Sequence, residues 1–131
     1  MEVKKYTFVT ISKNPGENIL FFDFNDNLSI DVDIIKEVIA NRHDFANGED
    51  HYLIMDLSNL KHISSEAKNY AYSSEAGLKN ILAGAFIATN PVSRLLANVL
   101  VKTTVDIPSK MFTDKESALK WILEIKKQNN N

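Results

Sequence analysis

The sequence predicts an α/β domain built on a mostly parallel sheet. Three observations predict it. Apolar runs of strand length alternate with amphipathic stretches of helical period, two strand-like runs at the start are joined by a short turn that contains glycine, and the central runs are apolar throughout. The predicted order is β-β-α-β-α-β-α-β-α. Strands that alternate with helices imply parallel pairing through right-handed crossovers.

The first third of the chain is predicted to form a β-hairpin and a helix. Residues 5–12 alternate in the manner of a strand, residues 18–24 form a second strand, and Lys13–Gly16 provide the turn. A helix is predicted from about residue 31 to residue 45, capped by Ser29 or Asp31. Its inner face carries Ile35, Val38, Ile39 and Arg42.

The middle of the chain predicts two central strands, each followed by a helix. Residues 52–57 form the first strand, and Ser64 caps the helix that follows, which Gly77 ends. The second strand begins near Ala83. Asn90 then caps the next helix and Pro91 takes its first position, where the missing N–H costs nothing.

The C-terminal part predicts a short edge strand and a last helix. Lys110–Phe112 is the strand, and Thr113–Glu116 has the spacing of a capping box. The apolar stripe of the helix comprises Ala118, Trp121, Ile122 and Ile125. Residues 1–127 are therefore predicted to be one domain, followed by a disordered tail over residues 128–131.

Composition excludes several classes of protein. The chain has 44% hydrophobic and 24% charged residues, the range of ordinary globular domains. It has no cysteine, which excludes disulfides and thiolate metal sites. A net charge of −2 with both signs interspersed argues against nucleic acid as a partner. No apolar run approaches the roughly 20 residues of a transmembrane helix, and the first residues show no apolar signal core, so we expect a cytoplasmic protein.

The residues around the first central strand resemble a known family. Asp56-Leu57-Ser58 ends the strand, Ile63 follows at an apolar position, and Ser64-Ser65-Glu66-Ala67 begins the helix. This pattern and the element order resemble the STAS fold of SpoIIAA-like anti-sigma-factor antagonists, which are akin to Sec14-like lipid-binding domains. The family pattern has Asp-Leu-Ser and then Asp-Ser-Ser/Thr-Gly. Residues 85–121 also look like an uncharacterised bacterial STAS/Sec14-like group.

The resemblance implies a regulatory or protein-interaction module. The interaction loop would comprise Asp56, Ser58, Ser64, Ser65 and Glu66. Of the second motif Ser65 is kept, while Glu66 takes the position of the family's phosphorylated hydroxyl. A fixed carboxylate there could mimic the phosphorylated state, which would make the interaction constitutive and not switched by phosphorylation. Simple helix capping is the alternative explanation of these residues.

A second candidate site lies at the next helix start. It comprises Asn90, Ser93 and Arg94. If the two central strands are neighbours, their ends bring this helix start and the one at Ser64 to one edge of the sheet, where free N–H groups, two hydroxyls and a guanidinium could hold an anion. The alternative is a cap and a surface arginine. This site, and the apolar surplus over residues 92–101, suggest a second function: a Sec14-like binder or sensor of a small apolar or anionic ligand or a lipid. That function requires a cavity between the sheet and a helix.

The sequence contains no enzyme signature. It has no P-loop, GxGxxG or GxSxG motif, and the spacings of His43, His51 and His62 match no metal motif. The three histidines are expected to be solvated or at strand ends, with His51 in a polar loop beside its acidic neighbours. We therefore expect no catalytic activity, cofactor or metal. Tyr70 and Tyr72 point to different faces of one helix, so one is expected in the core. The other is expected to be exposed, where it could join a protein contact such as a homodimer.

Overall fold

The computed structural model describes residues 1–73, 75–103 and 106–130, which form an α/β fold. The strands are β1 (Glu2–Lys5), β2 (Val9–Lys13), β3 (Ile19–Phe24), β4 (Leu28–Ile30), β5 (His51–Asp56), β6 (Leu60–Ile63), β7 (Ile81–Ile87) and β8 (Ser109–Phe112). The helices are α1 (Val32–Ala46), α2 (Ser65–Ser73), α3 (Glu75–Leu78), α4 (Pro91–Thr103) and α5 (Lys115–Asn129). Within the described residues, no helix has the length and apolar character needed to cross a membrane.

A six-stranded sheet forms the centre of the fold. Its order is β1-β2-β3-β5-β7-β8, with β1, β2 and β3 antiparallel and the remaining pairs parallel. The structure thus confirms the predicted N-terminal hairpin and parallel sheet. It also confirms that the two central strands, β5 and β7, are neighbours, and that β8 is an edge strand.

The helices cover the two faces of the sheet unequally. On the first face, α1, α2 and α4 bury apolar residues such as Val38, Ala67 and Ala97 against β2, β3 and β5. On the second face, α5 is the only described helix that contributes to the core. Its Ala118 and Ile122 pack on small and branched residues of the central strands, Ile54, Ala83, Ala85 and Ile87.

Three short strands depart from the predicted order. The predicted strand 5–12 is divided into β1 and β2 by a turn in which the Tyr6 N–H donates to the Val9 carbonyl at 2.9 Å. All four residues of β1 are exposed at the sheet edge. β4 and β6 form a separate two-stranded parallel sheet in which Ile30 pairs with Ile63. Strands of three or four residues carry too little periodicity to be recognised.

The helix ends follow the predicted chemistry with two corrections. The Asp31 carboxylate accepts the Ile34 N–H at 2.9 Å, which identifies the cap of α1. Gly77 does not end the second helix, because it lies inside α3; Asn80, with φ of 70°, makes the left-handed turn before β7. The cap of α5 is Asp114 and not Thr113, since the Asp114 carboxylate accepts the Ser117 N–H at 2.7 Å.

The last helix is longer than predicted. α5 includes Gln128 and Asn129, two residues of the predicted disordered tail. The Asn129 amide donates to the Tyr52 hydroxyl at 2.9 Å, and this bond ties the end of α5 to β5. The last residue of the predicted tail, Asn131, lies outside the described residues.

Candidate functional site

The first part of the predicted interaction loop is bonded to the strand beside it. The Asp56 carboxylate accepts the Ser58 N–H at 2.9 Å and so turns the chain at the end of β5. From the neighbouring β7 side, the Thr89 hydroxyl donates to the Ser58 hydroxyl at 2.8 Å and the Asn90 amide donates to the Ser58 carbonyl at 3.0 Å. Asp56, Ser58 and Asn90 are therefore brought together. Thr89, two residues beyond the end of β7, was not among the predicted site residues.

The second part of the loop is held by a different strand. The Ser64 N–H donates to the Ile30 carbonyl of β4 at 2.9 Å, and the Ser64 hydroxyl accepts the Ala67 N–H at 3.1 Å, as expected of a helix cap. Ser65 and Glu66, in the first turn of α2, are exposed. The predicted loop thus has two parts, one on each side of β6.

The second predicted site is largely occupied by a helix cap. The Asn90 side-chain oxygen accepts the Ser93 N–H at 2.9 Å, and the Ser93 hydroxyl donates to the Asn90 carbonyl at 3.0 Å. Ser93 is fully buried. Arg94, by contrast, is exposed. The cap accounts for Asn90 and Ser93, which leaves Arg94 as the exposed member of the predicted anion-binding group.

A concave surface lies beside the Ser58 turn, and we name it the rim groove. It has a volume of about 400 Å³ and is bounded by the Asp26–Asn27 turn, by Ser58–Lys61 and by Asn90 and Val92 at the start of α4. The groove therefore joins the first part of the predicted interaction loop to the exposed surface of α4.

An apolar cavity, the core cavity, lies between the first face of the sheet and the helices. Its volume is about 120 Å³. The lining comes from β3, β5 and β7, from β4 and β6, and from α1 to α4, and includes Phe22, Ile35, Leu53, Phe86 and Leu96. An apolar cavity of about 150 Å³ in another protein stays dry and binds benzene. The core cavity is therefore of a size to hold a small apolar molecule.

A polar cleft lies on the second face of the sheet, beside the start of α5. Its volume is about 450 Å³, and its lining includes Thr10, Asp23, Asp56, Thr89 and Asp114. Asp23 and Asp56 are register partners on parallel strands, so their side chains stand next to each other. Across the described residues, no group of three or more His, Cys, Asp or Glu side chains is placed to hold a metal ion.

A buried polar cluster lies at the opposite end of the sheet, where β5 begins. Arg42 donates to His51 Nε2 at 2.9 Å and to the carbonyls of Lys79 and Gly77 at 2.8 and 3.2 Å. His51 Nδ1 lies 2.8 Å from the Glu49 carbonyl. An arginine only donates, so Nε2 must accept and Nδ1 must carry the proton, which makes the imidazole neutral.

Burial sets the ionisation of this cluster. Desolvation lowers the pKa of His51 to about 4 and the pKa of Arg42 to about 10. His51 is the first residue of β5, which agrees with the expectation of a strand-end histidine, but it is buried, so its assignment to a polar loop is wrong. The sequence feature that indicates this buried cluster is the position of Arg42 on the apolar face of α1.

The tyrosines of α2 differ from their prediction. Tyr70 is half-buried against the core of the first face, with the Lys36 ammonium 5.2 Å from its ring centre. Tyr72 is also half-buried and lines the core cavity. The expectation that one of the two would be exposed is therefore wrong.

Comparison with known proteins agrees with the resemblance read from the sequence. A family model described as a domain of unknown function (DUF7793) matches residues 14–126. The structure is similar to that of an uncharacterized protein from the DUF3478 family, with a SpoIIAA-like fold, from Shewanella loihica PV-4. The TM-score is 0.63 at 17% identity, over 86% of this chain and 90% of that chain. No curated protein matches the sequence. This structural similarity shows that the chain has a SpoIIAA-like fold.

Proposed function

The chain belongs to the DUF7793 family and has a SpoIIAA-like fold, and from this we propose that it is a non-enzymatic regulatory module of STAS type that binds a protein partner in the cytoplasm. Its working surface, the loop surface, comprises Asp56, Ser58, Ser64, Ser65 and Glu66. The module acts in the manner of an anti-sigma-factor antagonist, but without the usual phosphorylation switch.

The exposure of Glu66 is the observation that carries this proposal. Its carboxylate stands in the first turn of α2, where the positive end of the helix favours a negative charge. The neighbouring Ser64 hydroxyl is engaged in the helix cap. By the resemblance, this permanent charge stands at the position at which the family carries a phosphate, although a carboxylate has one charge and a phosphate nearly two.

The bonds around Ser58 support the same proposal. Three hydrogen bonds, from Thr89, from Asn90 and within the Asp56 turn, hold the first part of the loop surface. A surface that is ordered before binding loses less conformational entropy when a partner docks. The loop surface is therefore suited to recognition by shape and a few polar contacts.

We predict that Glu66→Ser converts the protein into a phosphate acceptor. The substitution returns a hydroxyl to the position that is phosphorylated in the resembled family. The protein would be incubated with ATP and a purified kinase of the type that phosphorylates SpoIIAA-like antagonists, and its intact mass measured. We expect the mass of one phosphate on the variant and none on the wild type.

Glu116→Ser is the matched control for that experiment. Glu116 is also exposed and also stands second after the cap of its helix, because Asp114 caps α5 as Ser64 caps α2. Phosphate on both variants would mean that any serine in a first turn is accepted, which contradicts a specific loop surface. Stoichiometric phosphate on Ser64 or Ser65 of the wild type would contradict the constitutive form of the proposal.

The core cavity supports a second candidate function, the binding of a small apolar ligand. Atoms that line an unfilled apolar space of about 120 Å³ lack van der Waals partners on that side. A ligand that fills the space would supply those contacts. Pockets for drug-sized molecules start at about 300 Å³, so the cavity suits a ring or a short alkyl group better than a whole lipid.

We predict that benzene raises the midpoint temperature of unfolding of the wild-type protein. Binding to the folded state alone stabilises it by mass action. Ala71→Leu places a larger side chain at the wall of the cavity and should remove the effect of benzene. Ala40→Leu makes the same change at an exposed position of α1 and should keep it. An unchanged midpoint for the wild type, or a clean apo mass for protein purified from its own host, would contradict this candidate.

A further inference from the structure

The outer face of α4 exposes apolar side chains. Leu95 is 68% exposed and Val92 is 49% exposed, and the two are three residues apart, which places them next to each other on the helix surface. The inner face of α4 is already used, because Ser93 and Ala97 are fully buried against the rest of the fold. The exposed apolar pair is therefore surplus to the packing of this chain.

Exposed cations lie on the same helix and on the rim groove beside it. Arg94 and Lys102 are exposed on α4, and the helix contains no acidic residue. Lys61, on the rim groove with Val92, is a third exposed cation. The ion pairs among the described residues join Lys4 to Asp44 and Lys13 to Glu2, so none of these three cations takes part in one. The local charge is positive although the chain as a whole has a net charge of −2.

The concave shape of the surface favours a projecting element of a protein over a flat membrane as the occupant. Val92 lines the rim groove together with the Asp26–Asn27 turn. A groove accepts a projecting helix, whereas a bilayer surface would rest on its walls and leave the floor empty. Asp26 is the acidic residue of the groove, and the three cations outnumber it.

We propose that the outer face of α4, together with the rim groove, binds an acidic amphipathic helix of a partner protein. Apolar residues of that helix cover Leu95 and Val92, and its carboxylates pair with Lys61, Arg94 and Lys102. This inference rests on the proposed function in taking the partner to be a protein. It uses Ser58 but not Ser65 or Glu66, so the two proposals can fail separately.

Charge argues against a second copy of the chain as the occupant. Two copies that meet through the same surface around a twofold axis place each patch against itself. Arg94 and Lys102 would then face the same cations of the other copy, and like charges across an interface are unfavourable. A partner of opposite charge meets no such repulsion.

The test uses two synthetic helical peptides of about 16 residues, long enough to follow the whole of α4. Both carry leucines on one face; one carries glutamates beside them and the other carries lysines. Affinity is measured by fluorescence anisotropy, and the binding site by amide chemical shifts of the labelled protein. We expect the acidic peptide to bind more tightly than the basic one, and to shift amides of α4 and β6.

Substitutions on α4 and a matched residue on α5 complete the test. Leu95→Ser and Arg94→Glu should each weaken binding of the acidic peptide roughly tenfold or more, as for residues at the centre of an interface. Arg94→Glu should also reduce the salt dependence of binding. Leu123→Ser is the control, because Leu123 is 48% exposed on α5, away from this surface, and its removal should leave the affinity unchanged.

Four results would overturn the proposal. These are equal affinity for the two peptides, chemical shifts confined to other elements, binding only to vesicles of anionic phospholipid, and a stable dimer of the chain that Leu95→Ser dissociates. If the acidic peptide binds α4 while Glu66→Ser and Glu116→Ser are phosphorylated alike, the loop surface fails and the α4 surface stands. If Glu66→Ser alone is phosphorylated and the acidic peptide does not bind α4, the α4 surface fails and the loop surface stands.

Discussion

Lowering the pH from 6.5 to 4 is expected to reduce the free energy of unfolding by roughly 3 kcal/mol through His51 alone. The ordinary pKa of the residue is 6.5, and burial lowers it to about 4 in the folded protein. Above pH 6.5 the imidazole is neutral in both states. Between pH 6.5 and about pH 4 the unfolded chain gains a proton that the folded protein does not, so the free energy of unfolding decreases as the pH is lowered. Below about pH 4 both states are protonated and this contribution levels off.

The structural reason for the shift is the environment of the ring. Protonation would put a hydrogen on Nε2, which now accepts a bond from the Arg42 guanidinium. It would also place two cations in contact in a buried site. The folded protein therefore keeps the imidazole neutral, and lowering the pH from 6.5 toward 4 favours states in which the start of β5 has separated from α1.

Urea unfolding at a series of pH values would check this prediction. His51→Gln supplies a side-chain oxygen near the position of Nε2 but cannot be protonated, so its stability should change much less between pH 6.5 and 4. His62→Gln makes the same replacement on the exposed part of β6 and should keep the wild-type profile. Parallel profiles for the wild type and His51→Gln would contradict the assignment of a neutral, buried imidazole.

Ile122→Ala is expected to lower the free energy of unfolding by about 2–5 kcal/mol, the range for truncating a buried Ile to Ala. Ile122 is fully buried, and it packs with Ala118 on the small residues of β5 and β7. Because α5 is the only described helix in the core of this face, no neighbouring helix can move in to fill the space. The loss should therefore lie toward the upper part of the range.

Leu123→Ala is the control for this prediction, because the neighbouring residue of the same helix is about half exposed. Both substitutions remove side-chain carbons from α5 and replace a residue by the best helix former, so their effects on helix propensity are small. Chemical unfolding should show a loss of under about 0.5 kcal/mol for Leu123→Ala, the usual size at the surface. Equal losses for the two variants would mean that α5 does not pack on the sheet as described.

The fold could be predicted from the sequence because its main elements have strong local signals. The apolar run of β5, the turn chemistry of Lys13–Gly16 and the cap at Asn90 all depend on neighbours in the chain, and each is confirmed. The short strands β4 and β6 depend instead on pairing across the fold, with Ile30 against Ile63. No local pattern carries that information.

The candidate site was predictable in outline but not in detail. Parallel strands present their ends at one edge, and this rule predicts that the helix starts at Ser64 and Asn90 lie together. The structure bonds Asn90 to Ser58, whereas Ser64 bonds to Ile30 of β4. It could not show that Ser93 would be buried in its own cap, since a serine at that spacing is equally compatible with an exposed hydroxyl. The hydrogen bond between Arg42 and His51 was not predicted either, because it forms only when α1 packs against the start of β5.

The exposed strand β1 has a consequence for behaviour at high protein concentration. Its outer side offers unpaired backbone groups that could join a strand of another molecule. Three of its four residues, Glu2, Lys4 and Lys5, are charged, and lysine on an edge strand discourages edge-to-edge pairing with another sheet. Replacing both lysines with neutral residues would leave this strand edge unprotected, and fibrous aggregates could grow from it.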